Sequence, residues 1–142
     1  MKYSKVLSVH YPKAGGSSLK TSLKKLGSFN VIEIYDDDPV DPLSKTNTDP
    51  LSSRENAKTI YNSSAQDTIF HGHFSPRKFQ NLDFDLKFTI IRHPVNWIIS
   101  LYFFWSKMAS DGVTAHNLYE KFKIERPSLQ DFAKYPAIND CL

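Results

Sequence analysis

The chain has 142 residues, 40% hydrophobic and 13% aromatic, with a formal net charge of +3. This is the size of one domain, 1–142, and enough apolar side chain for a core, which excludes wholesale disorder. A lone cysteine, Cys141, excludes an intramolecular disulfide and a cysteine metal site. No apolar stretch is long enough for a signal peptide or a membrane span, so the expected location is the cytoplasm.

Val6 to His10 reads as a buried strand. The segment His10-Tyr11-Pro12-Lys13-Ala14-Gly15-Gly16-Ser17-Ser18 follows, and Ser18 to Leu26 reads as the helix after it. Asn30 to Tyr35 alternates around Val31, Ile32 and Ile34 as a second strand. Residues 36–53 are rich in Asp, Pro, Ser and Asn and read as a long surface loop. Arg54 to Tyr61 reads as a short helix and Thr68 to His71 as a third strand. Ser75-Pro76 looks like a helix cap with proline at the first position, opening Arg77 to Asn81. Lys87 to Arg92 is nearly all apolar and reads as a fourth strand. Pro94 to Met108 is a long aromatic helix, apolar on most faces, which fits burial or an interface with a second copy. Short helices are expected at Asn117 to Phe122 and Ser128 to Tyr135. Strands alternating with helices predict an α/β fold with a small parallel sheet flanked by helices.

Charge is unevenly spread. Residues 1–28 hold six lysines and no acid, while residues 33–55 hold seven acids against Lys45 and Arg54. The basic start suits a polyanionic ligand, although Lys20, Lys24 and Lys25 also fit an ordinary solvated helix face.

The glycine turn is the first candidate site. A strand–turn–helix with adjacent glycines leaves backbone N–H groups pointing at the positive end of a helix, where an anion can sit. Gly15 and Gly16 let the backbone approach a phosphate, Ser17 and Ser18 add hydroxyl donors, and Lys13 adds charge. Lysine precedes the glycines, so this is not a Walker loop, and no Gly-x-Gly-x-x-Gly is present. An isolated turn of this kind also serves simply to cap a helix.

Two further strand ends carry chemistry. His71-Gly72-His73 places two imidazoles near one cleft, where one can take a proton from a hydroxyl at neutral pH. A structural histidine and a zinc pair are the competing readings, and zinc needs a third ligand that no residue supplies at obvious spacing. Arg92 at a strand end and Ser100 two turns into the next helix can clasp one phosphate. Arg92 pairing with an acid and Ser100 packing as a small residue is the alternative.

Pro12-Lys13-Ala14-Gly15-Gly16-Ser17-Ser18 resembles the 5′-phosphosulfate loop of sulfotransferases that use 3′-phosphoadenosine 5′-phosphosulfate (PAPS). Ile91-Arg92-His93-Pro94-Val95, continuing to Ser100-Leu101-Tyr102, resembles their 3′-phosphate motif. Phe70-His71-Gly72-His73-Phe74-Ser75 is most similar to the glycosaminoglycan uronyl 2-O-sulfotransferases. The resemblance spans roughly residues 6 to 108. It implies a P-loop-NTPase-like architecture and sulfuryl transfer from PAPS to a hydroxyl, that of a carbohydrate, leaving the product PAP. It implies that Lys13 stabilises the departing phosphate and that Ala14, Gly15, Gly16, Ser17 and Ser18 cradle it. Arg92 and Ser100 would hold the 3′-phosphate, and His73, with His71 beside it, would deprotonate the acceptor. No metal, nucleic acid or membrane span is implied. Ala14 stands where the family often has a hydroxyl residue, and His93 where aspartate is commoner. Family members usually continue with a further strand and a C-terminal segment over the nucleotide, so a fragment, a minimal form or a site completed by another subunit is in view. A module that binds PAPS or PAP without turnover and a divergent nucleotide phosphotransferase are the rival functions.

Overall fold

The structure, a computed structural model, describes residues 4–35, 43–112 and 117–139. It divides into two compact units, Met1–Ile91 and Arg92–Leu142. The first runs β1 (Lys5–His10), α1 (Gly16–Lys25), β2 (Asn30–Ile34), α2 (Lys45–Thr48), α3 (Pro50–Ser63), β3 (Thr68–Gly72), a 3₁₀ turn (Pro76–Phe79) and β4 (Leu86–Ile90). The second runs α4 (Pro94–Ser110), α5 (Asn117–Glu125), α6 (Leu129–Phe132) and α7 (Pro136–Asn139).

The strands pair in the order β2-β3-β1-β4, all parallel. Alternation along each strand sends side chains to both faces. On one face Leu7, Ile34, Phe70, Phe74 and Phe79 pack with Ala57 of α3. On the other, Val6 and Ile69 pack with Leu23 of α1, flanked by Leu19, Phe29, Val31 and Phe88. A parallel sheet needs both faces covered, and this division supplies both.

The amino end of the sheet is tied down by polar groups. Asp85 accepts the Ser4 and Lys5 backbone N–H groups at 2.7 and 2.9 Å. The Lys5 ammonium donates to the Tyr61 carbonyl and to Ser64 Oγ, and lies 4.0 Å from the Tyr61 ring centre.

Of the long loop expected at 36–53, residues 36–42 lie outside the described residues. From Lys45 onward the expectation is corrected, since α2 and the start of α3 occupy the segment. The Asp49 side chain accepts the Ser52 N–H at 3.1 Å, and Pro50 takes the first helical position. Cap plus proline starts a helix however polar the neighbours are. Thr46 and Ser53 bury their hydroxyls against each other at 3.1 Å.

In the second unit, α4 buries Trp97, Leu101, Trp105 and Ala109, one residue every turn. Trp105 meets Tyr119, Phe122 and Phe132 edge to face at centroid distances of 5.7, 5.6 and 5.3 Å. Val95, Ile99, Phe103 and Phe104 of the same helix are exposed. The helix expected at 128–135 is shorter, Leu129–Phe132, started by Ser128 Oγ accepting the Asp131 N–H at 3.2 Å. No helix among the described residues is long and apolar enough to cross a membrane.

Candidate anion and histidine site

β1 ends at His10 and the chain turns at once. The Ala14 N–H donates to the Tyr11 carbonyl at 3.1 Å, closing a four-residue turn. Pro12 pre-sets the second position of that turn, and Lys13 takes the third with φ 65. A left-handed backbone is unfavourable for lysine, and glycine or asparagine would ordinarily stand there. Gly15 follows at φ 95, where its missing Cβ makes the conformation free.

α1 then starts with no side-chain cap and no acid in its first turn. Its first amides have no acceptor within the helix, and the helix dipole adds positive potential there. Gly15, Ser17 and Ser18 are exposed, and Lys13 is half-buried beside them. This end of α1 therefore carries positive potential and no side-chain cap among the described residues.

Gly16 is required by space instead. A Cβ there would lie 1.9 Å from His10 Nε2. The His10 ring is buried and stacks on His71 at 4.6 Å between centroids, 15° from parallel. It also meets His73 at 4.2 Å, 67° between planes. Three imidazoles from two adjacent strand ends thus form one cluster. Tyr35, just past β2, closes it with its ring 5.1 Å from His73 and 5.9 Å from His10. Lys20 of α1 lies 5.6 Å above the Tyr35 ring and 3.1 Å from Glu33, which also pairs with Lys24.

Sheet register explains the cluster. Ser8 is the partner of His71 across the β1–β3 pair, and its Oγ lies 2.9 Å from His71 Nδ1. Both residues are fully buried. If the hydroxyl donates to Nδ1, the imidazole proton sits on Nε2 and one polar hydrogen is left to place. The opposite assignment strands both the hydroxyl hydrogen and Nε2, so the Nε2–H form is favoured. His71 Nε2 and His10 Nδ1 have no hydrogen-bond partner among the described residues. Gly72 separates His71 from His73 because β2 passes close by: a Cβ there would lie 1.7 Å from the Ile34 carbonyl oxygen.

Burial, followed by the neighbouring His73, His71 and Lys20, pushes the His10 imidazole from its ordinary 6.5 down to about 4. Burial also holds His71 below its ordinary value. Both rings are therefore neutral near pH 7. Among the described residues, no group of three or more His, Cys, Asp or Glu is disposed to hold a metal ion. A cavity of about 800 Å³ opens at the same end of the sheet, lined by Leu7, Val9, His10, Tyr11, Phe74 and Ile91 among others.

The first unit therefore contains Lys13, Ala14, Gly15, Gly16, Ser17, Ser18, His71 and His73, while Arg92 and Ser100 belong to the second. Arg92 is exposed two residues before α4, and Ser100 is half-buried in its second turn. Sequence reasoning missed His10, Ser8 and Tyr35 as members of the site. The signal was available for two of them. Ser8 and His10 alternate on one face of an otherwise apolar strand, and a polar file in a buried strand calls for partners.

No family model matches the chain, and no curated protein matches it. What fold and site define together is an α/β unit with an all-parallel sheet. Its carboxyl end carries a helix start without a side-chain cap beside three packed histidines.

Proposed function

We propose that the chain is a PAPS-dependent sulfotransferase with a P-loop-like cradle, acting on a hydroxyl acceptor of saccharide type. The observation that carries the reading is Lys13, held in a left-handed backbone beside the uncapped start of α1. Strain of that kind persists where function requires the side chain.

In this reading the amides of Gly16, Ser17 and Ser18 and the Lys13 ammonium hold the 5′-phosphosulfate. Arg92 and Ser100 hold the 3′-phosphate. His73, the least buried of the three imidazoles, takes the acceptor proton as the acceptor oxygen bonds to sulfur. The bond from sulfur to the 5′-phosphate oxygen breaks, and the charge left on PAP is met by Lys13. The protein contributes alignment and charge stabilisation, as in phosphoryl transfer.

Calorimetry with PAP and transfer of labelled sulfate from PAPS to saccharide hydroxyls test this together. The expected result is PAP binding and transfer in the natural sequence, with both strongly reduced in Lys13→Ala. His73→Ala is expected to keep PAP binding and lose transfer. Normal turnover in either variant overturns the mechanism, and PAP binding without any transfer reduces the protein to a binding module.

A further inference from the structure

We propose that His10 is a positioning residue that couples the glycine turn to the His71–His73 pair. The proposal deepens the sulfotransferase reading, because it names what holds the anion cradle and the acceptor-side base in register. It stands on geometry that does not depend on that reading.

One imidazole makes three contacts with two different parts of the site. It fills the space over Gly16, so that no side chain fits at that position. It stacks on His71, which shares a hydrogen bond with Ser8. It presents an edge-to-face contact to His73. Gly16 is the first residue of α1, and His71 and His73 end and follow β3. A shift of the turn must therefore move the ring, and a shift of the ring must disturb both histidines. Close-packed interiors transmit displacement in this way.

Among the described residues, the charged and titratable groups acting on His10 and His71 come from three elements. Lys20 comes from α1, Glu33 and Tyr35 from β2 and its end, and His71 and His73 from β3. Burial keeps His10 neutral well below pH 7, so its influence at neutral pH is steric and dipolar rather than a charge. This is the property wanted in a spacer beside a base, since a cationic neighbour would suppress proton uptake at His73.

Proton–nitrogen correlation spectra of the histidine rings test the coupling without any ligand. In the natural protein His71 is expected as the Nε2–H form, and the His10 ring signals are expected to stay flat until the pH falls toward 4. Gly16→Ala would set its methyl group against the His10 ring, and it is expected to displace His10 and shift the ring signals of His71 and His73. His10→Ala, which adds no bulk, is expected to shift the same signals. His71 and His73 signals unchanged in His10→Ala overturn the proposal, whether or not Gly16→Ala folds. For the transfer reaction, His10→Ala is expected to lower kcat by about tenfold or more and to change KM for PAPS by less than about threefold. A rise in KM alone, with kcat intact, also overturns it. Ring coupling as expected, but no PAP binding and no transfer in the natural protein, would overturn the sulfotransferase reading and leave the coupling standing.

Discussion

Lys13 occupies a backbone conformation that costs energy for any residue with a Cβ. Replacing it by glycine is expected to stabilise the protein by up to about 1 kcal/mol while removing PAP binding. Urea denaturation beside calorimetry checks both halves, and a destabilised Lys13→Gly would show that the position carries no strain. His10 gives a second prediction, in pH. Its folded value of about 4 lies below the ordinary 6.5, so the unfolded chain binds the proton first as pH falls. Its contribution is present above about pH 6.5 and is lost on the way down to about 4. Melts between those limits should show the loss, and His10→Gln should flatten it. At this scale the sequence displayed Lys13, the glycines and the histidine pair as motifs. It hid His10, because a contact between β1 and the first residue of α1 depends on how the turn folds back.

β3 shows how an element fixes the spacing of a site. Gly72 lies against the Ile34 carbonyl, so the two flanking histidines are held on one face by a position that admits no side chain. Gly72→Ala is expected to force β2 and β3 apart and to cost more stability than a surface glycine would, visible as a lower Tm. Ser8→Ala is expected to leave His71 Nδ1 buried without a partner, at a cost of about 1–3 kcal/mol, and to release the tautomer seen in ring spectra. The four strands and α4 were legible from their apolar runs, and parallel pairing followed from the helices between them. α2 and the first residues of α3 were not, because their apolar content is low. Asp49 and Pro50 start α3 through cap chemistry, a local signal outweighed by the Asp- and Pro-rich surroundings. The arrangement of Arg92 and Ser100 around a single phosphate has a sequence spacing and no more, since spacing along a chain does not fix where two side chains meet.

Across the whole molecule, the charge pattern makes a prediction that no single residue carries. The first 28 residues hold six lysines without an acid, and four of these, Lys13, Lys20, Lys24 and Lys25, stand on the turn or on α1. Anion binding there is expected to weaken as ionic strength rises, because exposed charges are screened within about 8 Å at physiological salt. PAP titrations across a salt series check this, and an affinity indifferent to salt would remove the electrostatic part of the argument. The division at Ile91 and Arg92 was not legible in the sequence, which reads there as one strand running into one helix. Size and composition predict a single domain, and neither reports where contacts thin out.

β4 is an outermost strand in the described sheet, and its segment Leu-Lys-Phe-Thr-Ile-Ile is rich in residues that favour extended pairing. Leu86 is 37% and Ile91 77% exposed. An open rim of this composition is a template for further strands, and Lys87 is the one ionic group on it to discourage them. The practical consequence is colloidal. On warming, the protein is expected to cloud before its helices melt, and Thr89→Lys, doubling the charge along that rim, should delay the cloud point measured by light scattering.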